Sequence, residues 1–535
     1  MQFEKKIIKF LILLGVFLLI FLGLTLPAIF QKTHFLQNLE PYPDGILYAL
    51  SARNFVQGEG MQLVYGDSAL HFWVPRMYSI ALIPGYLISS NPTVFYLSNV
   101  FFGLLSLILL LYIVRITTEP AVAPVIAGLV YLSHVYVLWL ASVPMAENLV
   151  LPLFLAAVLG LVRMRDDWRY SLLAFSAAGL LFLTKLSLAV VIGMILLLLL
   201  IGLYQGLSQK RKIIAWIISG AVASIFIFQY GATLLSLLSG DSPFYGFRFL
   251  LGNLNSYGQM LLGSGGNFLW LQNALSSIGM LGIFVFAVWQ FLRSKSLEWR
   301  WRGWLLLGLF IAQFPIMLIF YVADARYIIL TVPIFALAAG WLTQLQLEFL
   351  KSRKQRNIFF LSVGLTLVVQ LWVQLPLVRQ VVAANLLGRT VGWQLEEIRH
   401  FDQVLKNDSE VFLITALPPF LVEAYSVGSY RVLPMSNSQE FLQKSQWVWG
   451  CDIDPEESNI CTEEKISSQV YSSESLTRLY DQLFAEGKKL YISNAYISHS
   501  HEVVLDYEEL EKTYSFELVS EGCLGTCNVY VMLAK

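Results

Sequence analysis

A chain of 535 residues with 57% hydrophobic side chains, 13% charged ones and a mean hydropathy of +0.64 is too apolar for an ordinary soluble protein, in which about a quarter of residues are charged. Basic and acidic side chains number 36 each, so the formal net charge is zero and no overall field recruits nucleic acid. Lipid has to form part of this chain's solvent, and the placement of its charges carries what their sum does not.

From about residue 7 to 376, apolar runs recur at the length of about 20 residues that crosses a hydrocarbon core. After about 380 the composition is that of a soluble protein. The expected organisation is therefore a polytopic, all-α transmembrane domain over 1–379 and a small extracytoplasmic α/β domain over 380–535. About eleven transmembrane helices are predicted, at roughly 7–30, 93–114, 121–141, 148–163, 171–184, 187–206, 213–237, 268–292, 303–321, 327–347 and 358–376. The first run follows Lys5, Lys6 and Lys9 as a signal peptide's would, yet it is too long and has no clear small-x-small cleavage site, so it reads as a retained span.

With the N-terminus cytoplasmic, alternation places Arg115, Arg163/Arg165/Arg169, Lys210/Arg211/Lys212, Arg293/Lys295/Arg300/Arg302 and Lys351/Arg353/Lys354/Arg356 on the cytoplasmic side. Positive charge then marks every cytoplasmic turn. This requires 75–90 to be an interfacial segment, because one more span there would invert every later loop. The extracytoplasmic side receives the first loop, 31–92, the turns near 144–148, 184–186 and 324–326, the 238–267 loop, and everything after 380. All four cysteines, Cys451, Cys461, Cys523 and Cys527, fall on that oxidising side. Three pairings are open to them, of which the local ones, Cys451–Cys461 and Cys523–Cys527, are favoured over four unpaired thiols.

Ionisable residues near spans but off the cytoplasmic side are few: Asp44, Arg53, Glu59, Asp67, Arg76, Glu147, Lys185, Asp241, Arg248, Asp324 and Arg326. All share one membrane face in this topology, and such groups are costly near a bilayer unless paired or working. Asp44 precedes a short amphipathic segment closed by Gly58 and Gly60, with Tyr48, Ala52 and Phe55 on one stripe. It is placed to cap that helix, and a capping carboxylate can also act as a base.

Four patches in this order resemble the GT-C membrane glycosyltransferases that use lipid-linked sugars, the group of the protein O-mannosyltransferases and the lipid A aminoarabinose transferase. Asp44-x-x-x-Tyr48-Ala49-x-x-x-Arg53 with Gly58-Glu-Gly60, followed by Phe72-Trp-Val-Pro75-Arg-Met-Tyr78, is similar to the family's first loop. Ser142-Val-Pro-Met-Ala-Glu147-Asn-Leu is similar to its second acidic motif, and Gly179-Leu-Leu-Phe-Leu-Thr-Lys185 to its G-x-x-x-L-T-K segment. Asp324-Ala-Arg326-Tyr327 with Pro333 is similar to its late R-Y segment. The likeness covers roughly 44–340, and Gly45, Leu47 and Trp73-Val74 depart from the pattern at positions where relatives carry charge.

The resemblance implies transfer of a sugar from a polyprenyl-phosphate donor to an extracytoplasmic acceptor, a glycolipid, cell-envelope glycan or protein. Asp44 is then the candidate base, while Lys185 as a point charge and Arg326 as a planar fork contact the phosphate. Arg53, Arg76, Glu147, Tyr48 and Tyr327 are further candidates for substrate binding. Plainer roles stand beside these: Lys185 snorkelling at a span end, Arg326 paired with Asp324, Arg53 or Arg76 on lipid headgroups, and Glu147 as an acid at a helix N-terminus. No cofactor is required by default, and a divalent metal is left open. The partners implied are the sugar lipid, the acceptor and membrane lipids.

The 238–267 loop mixes glycines with aromatics and reads either as a gate over a prenyl groove or as an aromatic belt on the interface. In the C-terminal part, helices near 391–406 and 474–486 alternate with strands at 410–415, 489–493, 513–519 and 528–534. His499-x-His501-Glu502 places two imidazoles on one strand face but lacks further metal ligands. A transporter or flippase of lipid-linked glycans is the alternative, although matched internal repeats and mid-span polar breaks are missing from the sequence. A non-catalytic membrane scaffold is the third class.

Overall fold

The fold follows from apolar runs that must bury one another or face lipid, punctuated by glycines that let helices approach. A computed structural model describes residues 2–30, 44–58, 60–61, 63–65, 68–70, 76–89, 93–134, 145–206, 249–254, 269–319, 329–350, 354–365, 393–405, 410–415, 430–433, 473–493, 507–522 and 528–535, with a few isolated residues between them. Helix α1 (Gln2–Phe30) is the first apolar run. The first loop supplies α2 (Asp44–Val56), a hairpin of β1 (Leu63–Tyr65) and β2 (Ser68–Leu70), and α3 (Met77–Ile88). Then come α4 (Thr93–Thr117), α5 (Val122–Leu132), α6 (Glu147–Arg163), α7 (Tyr170–Thr184), a 3-10 turn at Leu186–Leu188 and α8 (Ala189–Gly206). Helices α9 (Leu269–Arg293), α10 (Leu297–Ala312), α11 (Phe314–Ile319) and α12 (Thr331–Phe349) complete the labelled helical part, and residues 354–365 are also helical.

Close helix contacts fall on small residues, as they do where lipid offers no hydrophobic drive between helices. Phe21 and Phe17 of α1 lie against Gly103 of α4 and Gly128 of α5, where an added Cβ would come within 2.5 Å and 2.6 Å of the rings. Gly160 of α6 meets the backbone of α7, with Ala174 N and Tyr170 O at 2.6 Å and 2.7 Å from such a Cβ. Gly340 of α12 packs on Val114 and Ala127. Helices α6 and α12 are buried along most of their length, whereas Leu11, Leu19, Phe101, Leu172, Phe286 and Trp304 turn outward.

Two described helices are long and apolar enough by themselves to cross a bilayer, over Ile8–Leu26 and Tyr96–Thr117. The expected count of eleven spans is not reached among the described residues. In the run at 121–141, α5 closes at Leu132 and Val137 and Ala141 are again helical, and the run at 303–321 divides into α10 and α11 around Gln313. Residues 213–237 lie outside the described residues, as does most of 366–376. The 75–90 segment forms the twelve-residue α3, which at about 1.5 Å per residue rises about 18 Å, short of a core about 30 Å thick.

In the C-terminal part, α13 (Trp393–Leu405), β3 (Val411–Ile414), β4 (Arg431–Leu433), α14 (Ser473–Ala485), β5 (Lys489–Ser493), α15 (Tyr507–Thr513), β6 (Tyr514–Ser520) and β7 (Val529–Ala534) follow in order. The strands form one sheet in the order β4-β3-β5-β7-β6, parallel through β4, β3 and β5 and antiparallel through β5, β7 and β6. Strand β3 is buried on both faces, as a central parallel strand must be. Val411 and Leu413 share a cluster with Ile398, Phe401 and Leu405 of α13, while Phe412 and Ile414 share another with Tyr480 and Leu483 of α14. Both helices and four of the strands stand within two residues of their expected bounds; the short β4 and α15 were not anticipated. The four cysteines and His499, His501 and Glu502 lie outside the described residues, among which no group of three or more metal-ligating side chains occurs.

Gly160→Val is expected to wedge α6 from α7 and cost about 3 kcal/mol, the upper end for overpacking because backbone is met first. Gly193→Ala, with nothing within 4 Å of the new Cβ, is the neutral control. Thermal midpoints in detergent compare the two. The sheet also carries a pH dependence. His400 lies against Gly522, and burial lowers its pKa below 6.5 while a hydrogen bond to the Ser520 backbone partly opposes this. A depressed folded pKa means that the unfolded chain binds the proton first, so stability declines as pH falls below about 6.5. His400→Gln should flatten that decline in unfolding followed between pH 7.5 and 5.

Candidate functional site

The first-loop helix begins at Asp44, an acid at the end of a helix where negative charge is favoured. Asp44 is the first helical residue, one place further in than the expected cap. Gly58 closes the helix with φ of 89°, a conformation that a residue with a Cβ rarely adopts. The expected stripe of Tyr48, Ala52 and Phe55 is corrected: Tyr48 and Ala52 are buried, together with Ala49, Leu50, Ser51 and Asn54, but Phe55 is 48% exposed. Helix α2 is inserted among neighbours and is more than a surface amphipath.

Its main neighbour is α3. Tyr78, in the first turn of α3, is fully buried and meets the Tyr48 ring edge-on at 5.1 Å and 86°. It also packs on Phe102 of α4 at 6.3 Å. The Tyr78 hydroxyl donates to Oδ1 of Asn99, a fully buried residue of α4. Burial raises the Tyr78 pKa well above the tyrosine range, the Asn99 hydrogen bond opposes this, and the nearby Glu147 carboxylate adds to the rise. Tyr78 therefore remains a protonated donor. A turn or two along α3, burial also raises the Tyr86 hydroxyl, against the pull of the neighbouring Arg53 charge.

Glu147 opens α6 at 1% exposure and pairs with Lys185 Nζ. Lys185 is the first residue past α7, where an extended backbone (φ −155°, ψ 113°) turns the chain from α7 into the 3-10 turn. The two residues lie 38 apart in sequence. They meet because α6 and α7 form an antiparallel hairpin that brings the N-terminus of one beside the C-terminus of the other. An acid at the first end and a base at the second also complement both helix dipoles. The Lys185 side chain is only 17% exposed, so it is paired inside the protein and does not snorkel.

The 3-10 turn after Lys185 touches α11. Asn253 Nδ2 donates to the Met317 and Leu318 carbonyls at 3.1 Å, satisfying open acceptors at the end of α11. The chain leaving α11 leads to Asp324, Arg326 and Tyr327, which lie outside the described residues, as do 241–248 and 255–267 of the proposed gate. Tyr48, Arg53, Glu147 and Lys185 thus fall along one route through α2, α3, α6 and α7. Arg76, exposed at the N-terminal end of α3, does not join it. Sequence reasoning assigned no role to Tyr78 or Asn99. The available signal was an asparagine within the otherwise apolar run of α4.

No protein-family profile and no curated relative matches the chain. Its fold is shared with solved structures of ArnT. The solved structures it matches include that of ArnT from Cupriavidus metallidurans bound to undecaprenyl phosphate, at 14% identity and a TM-score of 0.54, over 97% of each chain. ArnT from the same organism in the apo state matches at 15% identity and a TM-score of 0.52, over 95% of this chain and 97% of that one.

Removing one member of a buried ion pair leaves the other uncompensated. Lys185→Met should therefore destabilise the protein by about 3 kcal/mol, while Glu147→Leu combined with Lys185→Met should recover much of the loss. Thermal unfolding of the single and double variants reads both; equal losses would mean that the two charges do not stabilise each other.

Proposed function

We propose that this chain is an integral membrane glycosyltransferase that moves a sugar from a polyprenyl-phosphate donor to a hydroxyl acceptor outside the cytoplasm. The observation that carries the reading is the buried Glu147–Lys185 pair reached from the first-loop helix through Tyr48 and Tyr78. It supplies a cation linked through α3 to a helix that begins with a carboxylic acid residue. The fold shared with ArnT, one of whose solved structures holds undecaprenyl phosphate, supports a donor of that class.

A polyprenyl phosphate keeps its tail in the bilayer and its phosphate at the level of the headgroups, so the reaction has to occur at the membrane surface. The acceptor oxygen attacks the anomeric carbon, the bond from that carbon to the phosphate oxygen breaks, and its electron pair leaves with the phosphate. Asp44 takes the acceptor's proton, while Lys185 and Arg326 stabilise the departing phosphate, the first as a point charge and the second as a planar fork. Arg53 and Arg76 add positive charge near the headgroups, and Tyr48 and Tyr327 shape the site. Glu147 holds Lys185 in place until the phosphate competes for it.

In the same reading, residues 1–379 form the transmembrane enzyme with the 31–92 loop on the extracytoplasmic side, and residues 380–535 form an extracytoplasmic domain that shapes access for the acceptor. The N-terminus is cytoplasmic.

Asp44→Asn should leave an inserted, folded protein whose transfer rate is lower by about 10²- to 10⁴-fold, the range for losing a general base. Wild-type transfer by this variant would remove Asp44 from the role. The assay uses purified protein with polyprenyl-phosphate sugars, chosen by mass spectrometry of the lipid that co-purifies.

A further inference from the structure

Tyr78, near the ion pair, has interactions that reach three other helices. Its ring meets Tyr48 in α2, its hydroxyl donates to Asn99 in α4, and it lies in the field of Glu147 at the start of α6. Tyr78 and Asn99 are both at 0% exposure, and a buried hydroxyl or amide that loses its partner is costly, so the bond fixes the ring in place. Seven residues on, Gly85 holds α3 to α4, with no more than 2.4 Å between an added Cβ and Val94 Cγ1. Helix α3 is thus pinned to α4 near both ends. Helix α2 packs chiefly on α3.

We infer that Tyr78 is a positioning residue, which fixes α2, and with it Asp44 at the first residue of that helix, relative to the Glu147–Lys185 pair. Its consequence for rate rests on the proposed transfer reaction; its consequence for structure does not. The hydroxyl specifies where α2 stands because the ring cannot slide along α4 without giving up Asn99. A phenylalanine would keep the contact with Tyr48 and lose that register.

The test compares Tyr78→Phe with the double variant Tyr78→Phe/Asn99→Leu, which removes both polar partners together. In the full-length protein in detergent, amide hydrogen exchange over residues 44–56 is expected to rise at least about tenfold in Tyr78→Phe, with α6 and α7 unchanged. With a polyprenyl-phosphate sugar, kcat is expected to fall at least about tenfold and the donor KM to stay within about twofold, the split of an interaction made for the reacting geometry. The double variant should regain the thermal midpoint without regaining kcat or the protection of α2. Wild-type exchange in α2 of Tyr78→Phe would overturn the inference. So would a wild-type kcat in a variant with a loosened α2, or recovery of kcat together with stability in the double variant. A wild-type chain that transfers no sugar from any such donor would sink the proposed function alone, and the exchange measurement would still decide the role of Tyr78.

Discussion

An ammonium and a carboxylate enclosed by apolar helices constrain everything around them. Neither charge is tolerable there without the other, so the first residue of α6 and the first residue beyond α7 must stand at the same level. That requirement fixes the register of the α6–α7 hairpin. Gly160 makes it attainable by removing the side chain that would hold the two backbones apart. The rest of the bundle packs onto this hairpin, with α4 along one side of α6 and α12 against α4 and α5.

The site forms at helix ends for the same reason. A charge in the middle of an apolar span receives no help from the backbone, whereas helix termini offer unpaired N–H and C=O groups and the ends of the dipole. Glu147, Lys185 and the start of α2 all use such ends. Under the proposed function this is also where the chemistry has to be, because the phosphate of a lipid-linked donor does not reach the middle of the hydrocarbon. The fully buried Tyr78–Asn99 bond adds a polar contact that joins the first loop to α4 without introducing another charge.

Much of the fold was legible in the sequence because apolar runs and basic turns are local signals. The helices at 147–163, 170–184 and 269–293 lie within a residue or two of their expected bounds, and the sheet strands at 411–414 and 489–493 do likewise. What failed depends on neighbours. Phe55 was placed on one stripe with Tyr48 and Ala52, but those two are buried and Phe55 is exposed, because α2 is enclosed on a face that its amphipathic period does not reveal. The hairpin at 63–70 has only three residues per strand, joined by the two-residue Gly66-Asp67 link, and was passed over despite that turn signal. Glu147 and Lys185 were each singled out, the first as an acid at a helix start and the second as a base at a helix end. Their pairing was not, because a separation of 38 residues through two helices does not say which ends meet. Tyr78 entered only as the last residue of the Phe72–Tyr78 stretch of the first loop, and Asn99 was not singled out.

At 14% identity, likeness to ArnT constrains where the helices and their ends lie and leaves the chemistry to this chain's own side chains. The departures at Gly45, Leu47 and Trp73-Val74 make that distinction matter, since the first loop lacks charges that its resemblance would lead one to expect. The Glu147–Lys185 pair and the Tyr48–Tyr78–Asn99 contacts are features of this chain in their own right. A bundle that needed only to be stable would do as well with apolar residues at those helix ends, because replacing a buried ion pair by well-packed hydrophobic side chains is often neutral or stabilising. Under the proposed function, the buried lysine near the first loop has a second negatively charged group to meet besides Glu147, the departing phosphate.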